Sequence, residues 1–228
     1  ETTEAALGKT LTIKALFGGK AVGEAKTKIN SRVSTLGITL SEKHLWELGK
    51  GNLYDLELTY GEDKVKSYFG IRTTAFDNQY YLLNGKPLYL RTVLDQGFYR
   101  DGIYTAPTEA DLIKDIEISY AVGFNGARLH QKIFEPRFLY HCDREGYIVW
   151  GEHGNWGLDI ARADAWANFI PEWVECLERD FNHPAIIGWC PLNETQRYQD
   201  RRFVAMLYDM TKHTFSVYVS DMDMDGAL

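Results

Sequence analysis

The periodicity of the chain changes once. Up to about Thr73, apolar residues come in short alternating runs: Leu11, Ile13 and Ala15; Val33, Leu36, Ile38 and Leu40; Leu53, Leu56, Leu58 and Tyr60; and Val65 to Phe69. A period of two marks half-buried strands, and Gly18-Gly19, Gly49 to Asn52 and Gly61-Glu62-Asp63 supply the breaks. The pattern predicts an immunoglobulin-like antiparallel β-sandwich over residues 1-74. About five strands are visible where a complete sandwich has about seven, so the domain is expected to be clipped at its start.

From residue 75 to 228 the pattern becomes strand and helix in alternation, the arithmetic of a parallel sheet. Tyr80 to Leu83 and Pro87 to Leu90 flank Asn84-Gly85, a hairpin signal because both turn residues tolerate positive φ. Arg91 to Leu94 then forms a first barrel strand ending at Asp95-Gln96-Gly97. Thr108 with Asp111 predicts a capping box for a helix presenting Leu112, Ile116 and Tyr120, with Gly123 at its end. Phe124 to Arg128 is a second strand. Pro136 opens a short helix that Gly146 stops, and Tyr147 to Trp150 is a third strand. Asp164 is expected to cap the next helix, which Pro171 kinks or divides. Ala185, Ile186, Ile187 and Trp189 make a fully buried fourth strand that ends abruptly at Asn193-Glu194, and Phe215 to Val219 is a weak fifth.

Four to five β/α units are only part of an eight-stranded (β/α)8 TIM barrel, which typically takes about 250 residues. The expected fold is therefore a β-sandwich followed by an incomplete barrel. An open half-barrel leaves strand edges and an inner face uncovered, so the rest of the barrel or an oligomer partner is expected to complete it.

Composition narrows the ligand. A net charge of -7 with no basic run excludes nucleic acid as the natural partner. No apolar run reaches the roughly 20 residues that span a membrane, which leaves the compartment open. Six Trp and fourteen Tyr offer flat apolar faces with polar tips, suited equally to a core and to sugar rings. Cys142, Cys176 and Cys190 are an odd set, widely spaced, and read as small core residues.

Ligands in parallel β/α folds bind beyond the carboxyl ends of the strands. That rule selects Asp95 and Gln96, Arg128 and His130, Glu152 and His153, and Asn193 and Glu194. Zinc would need ligand spacing such as His-Glu-x-x-His, which is missing, and neither a Gly-x-Ser-x-Gly elbow nor a phosphate-cradling Gly-rich loop occurs. Carboxylate acid/base chemistry remains. Cleaving a glycosidic bond needs one carboxyl to protonate the leaving oxygen and another to attack or stabilise the sugar cation. Glu194 is the candidate proton donor and acceptor. Glu152, the other strand-end glutamate, is read as a supporting group.

These residues resemble glycoside hydrolase family 2, the β-galactosidases, β-glucuronidases and β-mannosidases, over nearly the whole chain. The resemblance rests on His44 to Gly49 with Asn52 to Leu56, on Phe69-Gly70-Ile71-Arg72, on Leu83 to Leu88, and above all on Arg179-Asp180-Phe181-Asn182-His183-Pro184 followed by Trp189 and Asn193-Glu194. It implies a retaining exo-β-glycosidase in which Glu194 is the general acid/base and Asn193 binds the sugar 2-hydroxyl. It further implies that Arg128 helps hold the catalytic carboxylates and that Asp95, Glu152 and His153 line the sugar pocket. His130 stands where the family's common Arg-x-Ser-His pattern is broken by Leu129, His130 and Gln131. The family's nucleophile is a glutamate on a later strand that no residue here matches, so this chain alone is expected to be inactive. The favoured specificity is β-galactosidase-like, with β-glucuronidase specificity and a non-catalytic carbohydrate-binding or structural fragment as alternatives. No cofactor is expected; a divalent cation or sodium stays open.

Overall fold

The computed structural model describes residues 1–77, 79–195, 199–214 and the backbone of 218–219. It divides into two compact units, residues 1–46 with 52–71, and residues 47–51 with 72–228.

The first unit is a four-stranded antiparallel sheet in the order β2-β1-β3-β4, with β1 Thr10–Phe17, β2 Lys20–Lys28, β3 Leu53–Tyr60 and β4 Asp63–Gly70. Ala15, Val22 and Tyr54 are its buried centre, with Phe17, Ile38, Leu40, Leu56, Phe69 and Ile71 packed around them. Two expectations need correcting. The run Val33 to Leu40 is not a strand; it crosses the sheet as irregular chain, leaving Val33 exposed while Ile38 and Leu40 reach the core. The strand next along the chain from β1, pairing on the side away from β3, is β2, which carries four Lys or Glu residues among nine and buries only Val22, too polar a run to announce itself by alternation.

The second unit opens with a three-stranded meander of β5 Thr74–Asp77, β6 Tyr80–Leu83 and β7 Lys86–Leu88. Asn84 and Gly85 sit at φ 53° and 75°, the pair of positive angles that a two-residue hairpin demands. A parallel sheet follows, in sequential order from β8 Thr92–Asp95 through β9 Gly126–Leu129, β10 Ile148–Glu152 and β11 Ile186–Cys190 to the short β12 Tyr218–Val219. Residues 215–217 of the expected fifth strand lie outside the described residues. The connecting helices are α1 Glu109–Ala121, α2 Pro136–Glu145, α3 Ala163–Asp180 and α4 Arg201–Thr214.

The helix ends follow local chemistry. The Asp111 carboxylate accepts from both the backbone N–H and the hydroxyl of Thr108, closing the capping box of α1. Pro136 starts α2, and Gly146 at φ 67° ends it. Asp164 does not cap α3; it lies in the first turn and pairs with Arg162, the residue at the cap position. Pro171 stays inside one continuous helix and does not divide it.

The strand register separates two faces of the sheet. Leu94, Arg128, Trp150 and Gly188 pair in a row across β8 to β11, and so do Asp95 with Leu129 and Gly151 with Trp189. Side chains alternate along a strand, so these two rows face opposite ways. Trp189 meets the Trp173 ring of α3 edge-on at 5.5 Å and marks the helix-facing side. Arg128, and above it His130, Glu152 and Cys190, belong to the side that a closed barrel turns inward.

Candidate active site

At the carboxyl end of the sheet, Arg128 and Glu152 form the fixed point. Arg128 Nε donates to Glu152 Oε2 at 2.8 Å, and the Glu152 side chain is fully buried. Its other oxygen, Oε1, accepts from the Gln131 backbone N–H at 2.9 Å. Burial works against the Arg128 charge, but the adjoining Glu152 carboxylate outweighs it and holds the guanidinium more firmly protonated than usual. Both Glu152 oxygens are thus engaged, which makes it a support and a poor nucleophile.

From that point the hydrogen bonds run outward to Asn193. Arg128 Nη2 donates to Asn193 Oδ1, which fixes the orientation of the amide and turns Nδ2 toward His130 Nε2, 3.0 Å away. Nε2 therefore accepts, so a neutral His130 carries its proton on Nδ1. Gln96 Nε2 lies 2.8 Å from Nδ1, and turning the amide over brings its oxygen to accept that proton. The main chain of Asn193 is clamped as well. Asn155 Oδ1 accepts from Asn193 N–H at 2.7 Å, and Asn155 Nδ2 donates to Asn193 C=O at 3.0 Å. Gln131 Nε2 in turn donates to Asn155 Oδ1, while Gln131 Oε1 accepts from the N–H groups of Asn155 and Trp156.

Glu194 follows this clamp in the left-handed region at φ 46°, and Gln131 sits at φ 54°. Non-glycine residues adopt such angles where the surroundings over-determine them, commonly at functional sites. Asn193 is buried and Glu194 is exposed. Glu194 thus follows directly on an amide that the half-buried Arg128 guanidinium holds in place.

The structure thus brings together Arg128, His130, Glu152 and Asn193, with Glu194 next along the chain. It does not bring in Asp95 or His153. The register places Asp95 with Leu129, opposite Arg128; its carboxylate accepts from Gly97 N–H at 2.8 Å, and burial raises its pKa. The His153 ring packs on Phe169 and Trp173 of α3, at 4.2 and 5.8 Å between ring centres. Gln131 and Asn155 are the site residues that sequence reasoning missed. Both lie just beyond a strand end, Asn155 three residues after Glu152, and that position was the only available signal.

His153 carries a separate consequence. Its Nδ1 donates to Gly154 O at 2.9 Å, and its buried Nε2 lies 3.6 Å from Glu172. Burial lowers its pKa, with Gly154 and Glu172 opposing. A histidine that is harder to protonate when folded adds stability above its unfolded pKa of about 6.5, lost as pH falls through the folded value. Urea titrations between pH 7.5 and 5 are expected to show stability dropping on the acid side, and His153→Gln to flatten that drop.

The specific sequence block before β11 has a framework task. Arg179 pairs with Asp180 at 2.6 Å and donates to Phe134 O, while the buried Asp143 accepts from His183 Nδ1 at 2.6 Å and Ala185 N at 2.9 Å. Arg72 donates to the carbonyls of Pro184 and Ile186. These bonds set where β11 begins, and hence where Asn193 and Glu194 end up. Among the described residues no group of three or more His, Cys, Asp or Glu side chains is placed to hold a metal ion, and no helix is long and apolar enough to cross a membrane.

A parallel β/α sheet whose inward strand ends converge on a clamped asparagine, with a glutamate next along the chain, has the architecture of part of a β/α barrel. The sequence profile of glycosyl hydrolases family 2 matches residues 4–72, and that of the family's TIM barrel domain matches residues 74–217. The chain belongs to glycosyl hydrolases family 2, with an immunoglobulin-like unit followed by part of the TIM barrel. It is 28% identical over 194 residues to a β-galactosidase of Leuconostoc mesenteroides, covering 78% of this chain and 18% of that protein. It is 31% identical over 154 residues to a β-glucuronidase of Rattus norvegicus, covering 62% of this chain and 23% of that one. The solved structure of a β-glucuronidase from an uncultured Clostridium sp. shares the fold with a TM-score of 0.82 at 21% identity, over 95% of this chain and 39% of that chain. The chain therefore spans well under half the length of each of these relatives.

Proposed function

We propose that this chain supplies the acid/base half of a retaining exo-β-glycosidase. The observation that carries the proposal is the Asn193-Glu194 tip, held through side chain and main chain by Arg128, His130 and Asn155 at the inward strand ends. Glu194 protonates the glycosidic oxygen as the bond breaks and then takes a proton from the water that releases the sugar. Asn193 offers its amide to the hydroxyl beside the reacting carbon. The attacking carboxylate comes from outside this chain, since both oxygens of Glu152 are already bound.

The sugar we favour is a neutral one, a terminal β-galactoside ahead of a β-glucuronide. A uronate carboxylate calls for a free cation. Of the cations nearest Asn193, Arg128 is engaged with Glu152 and Asn193, and Lys132 is engaged with the carbonyls of Gly97 and Tyr104. Nitrophenyl β-galactoside, β-glucuronide and β-mannoside form the test panel, given both to this chain and to the complete polypeptide that contains it. This chain alone is expected to give no turnover. The complete polypeptide is expected to cleave the galactoside fastest and release a β-configured sugar, followed by NMR. Turnover by this chain alone would refute the external nucleophile, an α-configured first product would refute retention, and a preference for the glucuronide would refute the specificity.

A further inference from the structure

Three exposed aromatic rings surround the site without serving any core. Phe98 lies three residues beyond the end of β8 and is 64% exposed, Tyr104 is on the same loop at 45%, and Trp156 lies four residues beyond the end of β10 at 55%. Single exposed aromatics are ordinary. These three are not scattered, because both loops are fastened to one residue. The Tyr104 hydroxyl donates to Gln131 O at 3.1 Å, and the Trp156 N–H donates to Gln131 Oε1 at 3.0 Å. Gln131 is also the residue whose N–H binds Glu152.

The rings are held at defined angles. Trp156 meets the His130 imidazole edge-on, with ring centres 5.2 Å apart and planes at 80°, and His130 is the partner of Asn193. Phe98 and Tyr104 lean on each other at 5.1 Å. The Lys132 ammonium sits 4.5 Å from the Tyr104 ring centre and donates to Gly97 O and Tyr104 O, which pins the loop at both ends.

We propose that Trp156, with Phe98 and Tyr104, forms an aromatic subsite that receives the leaving-group side of the substrate, a second pyranose or an aryl group. This rests on the glycosidase reading above. In a pocket-shaped site the terminal sugar occupies the floor at the strand ends, where Asn193 is. The part of the substrate that projects outward then passes between the loops. Flat, rigid rings with exposed faces suit the apolar C–H face of a pyranose or the face of an aryl ring, and they carry no charge that would select an ionic ligand.

The test uses the 228-residue chain and two probes, methyl and phenyl β-D-galactopyranoside, with binding followed by ligand-observed NMR and by the tryptophan indole resonances. The wild-type chain is expected to bind the phenyl glycoside more tightly than the methyl one. Trp156→Ala is expected to weaken the phenyl glycoside roughly 3- to 10-fold, the size of one good ring contact, and to spare the methyl glycoside. Trp156→Phe should restore most of the loss, and Phe98→Ala should weaken the phenyl glycoside in the same direction. Both side chains are exposed, so circular dichroism should show unchanged folding. Equal binding of the two probes, or a Trp156→Ala loss shared equally between them, would overturn the subsite while leaving the site at Asn193 standing. No saturable binding of either probe by the wild-type chain would overturn the site reading, and the subsite with it.

Discussion

Arg128→Met is expected to destabilise the barrel unit by roughly 3–5 kcal/mol, the cost of stranding one member of a buried ion pair. The stranded group is Glu152, whose side chain is fully buried and would keep only the Gln131 N–H as a partner. The loss should exceed that of any exposed pair on this protein, such as Lys114 with Glu117 at 3.5 Å, for which such bridges contribute about 0–1 kcal/mol. Removing the charge as well, in Arg128→Met with Glu152→Leu, should recover much of the stability. It should not recover all, because Gln131 N–H and Asn193 Oδ1 then lack their partners. The measurement is urea denaturation, with fluorescence and far-ultraviolet dichroism recorded together because two units need not unfold in one step. A single variant as stable as the wild type would show that the pair is not what fixes this end of the sheet.

The same pair explains what could and could not be read from the sequence. The strands β8 to β11 announced themselves as short apolar runs between helix-like segments, β11 apolar along its whole length, and the polar residues at their carboxyl ends marked the functional end. What the sequence reading lacked was the strict alternation of faces at those ends. Asp95 and Gln96 are neighbours, as are Glu152 and His153, yet in each pair only the second-named of the first and the first-named of the second reach His130 or Arg128. Asp95 turns to Gly97 and His153 to Phe169 of α3. A period of two applied outward from Arg128 would have sorted them. Gln131 and Asn155 were beyond that reach, because their roles come from bonds between two different loops and no spacing within one segment encodes them. The motif from Arg179 to Pro184 shows the converse. Its specificity as a signature reflects buried bonds of Asp143, His183 and Ala185, one step removed from the chemistry.

Glu194→Gln is the variant expected to cost most in activity. In the complete polypeptide it should lower kcat for substrates with a poor leaving group by roughly 10²–10⁴-fold, the usual contribution of a positioned general acid or base. Glutamine preserves the length and shape of the side chain, and Glu194 is exposed, so folding should be unaffected. Substrates whose leaving group needs no proton, such as dinitrophenyl glycosides, should still form the glycosyl-enzyme and then stall, because no base activates water. Azide needs no deprotonation. Adding it should release the stalled sugar as a glycosyl azide of retained, β configuration, with the rate rising with azide concentration. The companion variant Glu194→Ala opens space for azide: if Glu194 were the nucleophile, azide there would attack the substrate directly and give the α-azide, whereas the acid/base role again predicts the β-azide. Substituting Glu152 should produce neither product, only the instability argued for its partner Arg128. The azide configuration therefore separates the acid/base role from the nucleophilic one at a residue where both are chemically conceivable.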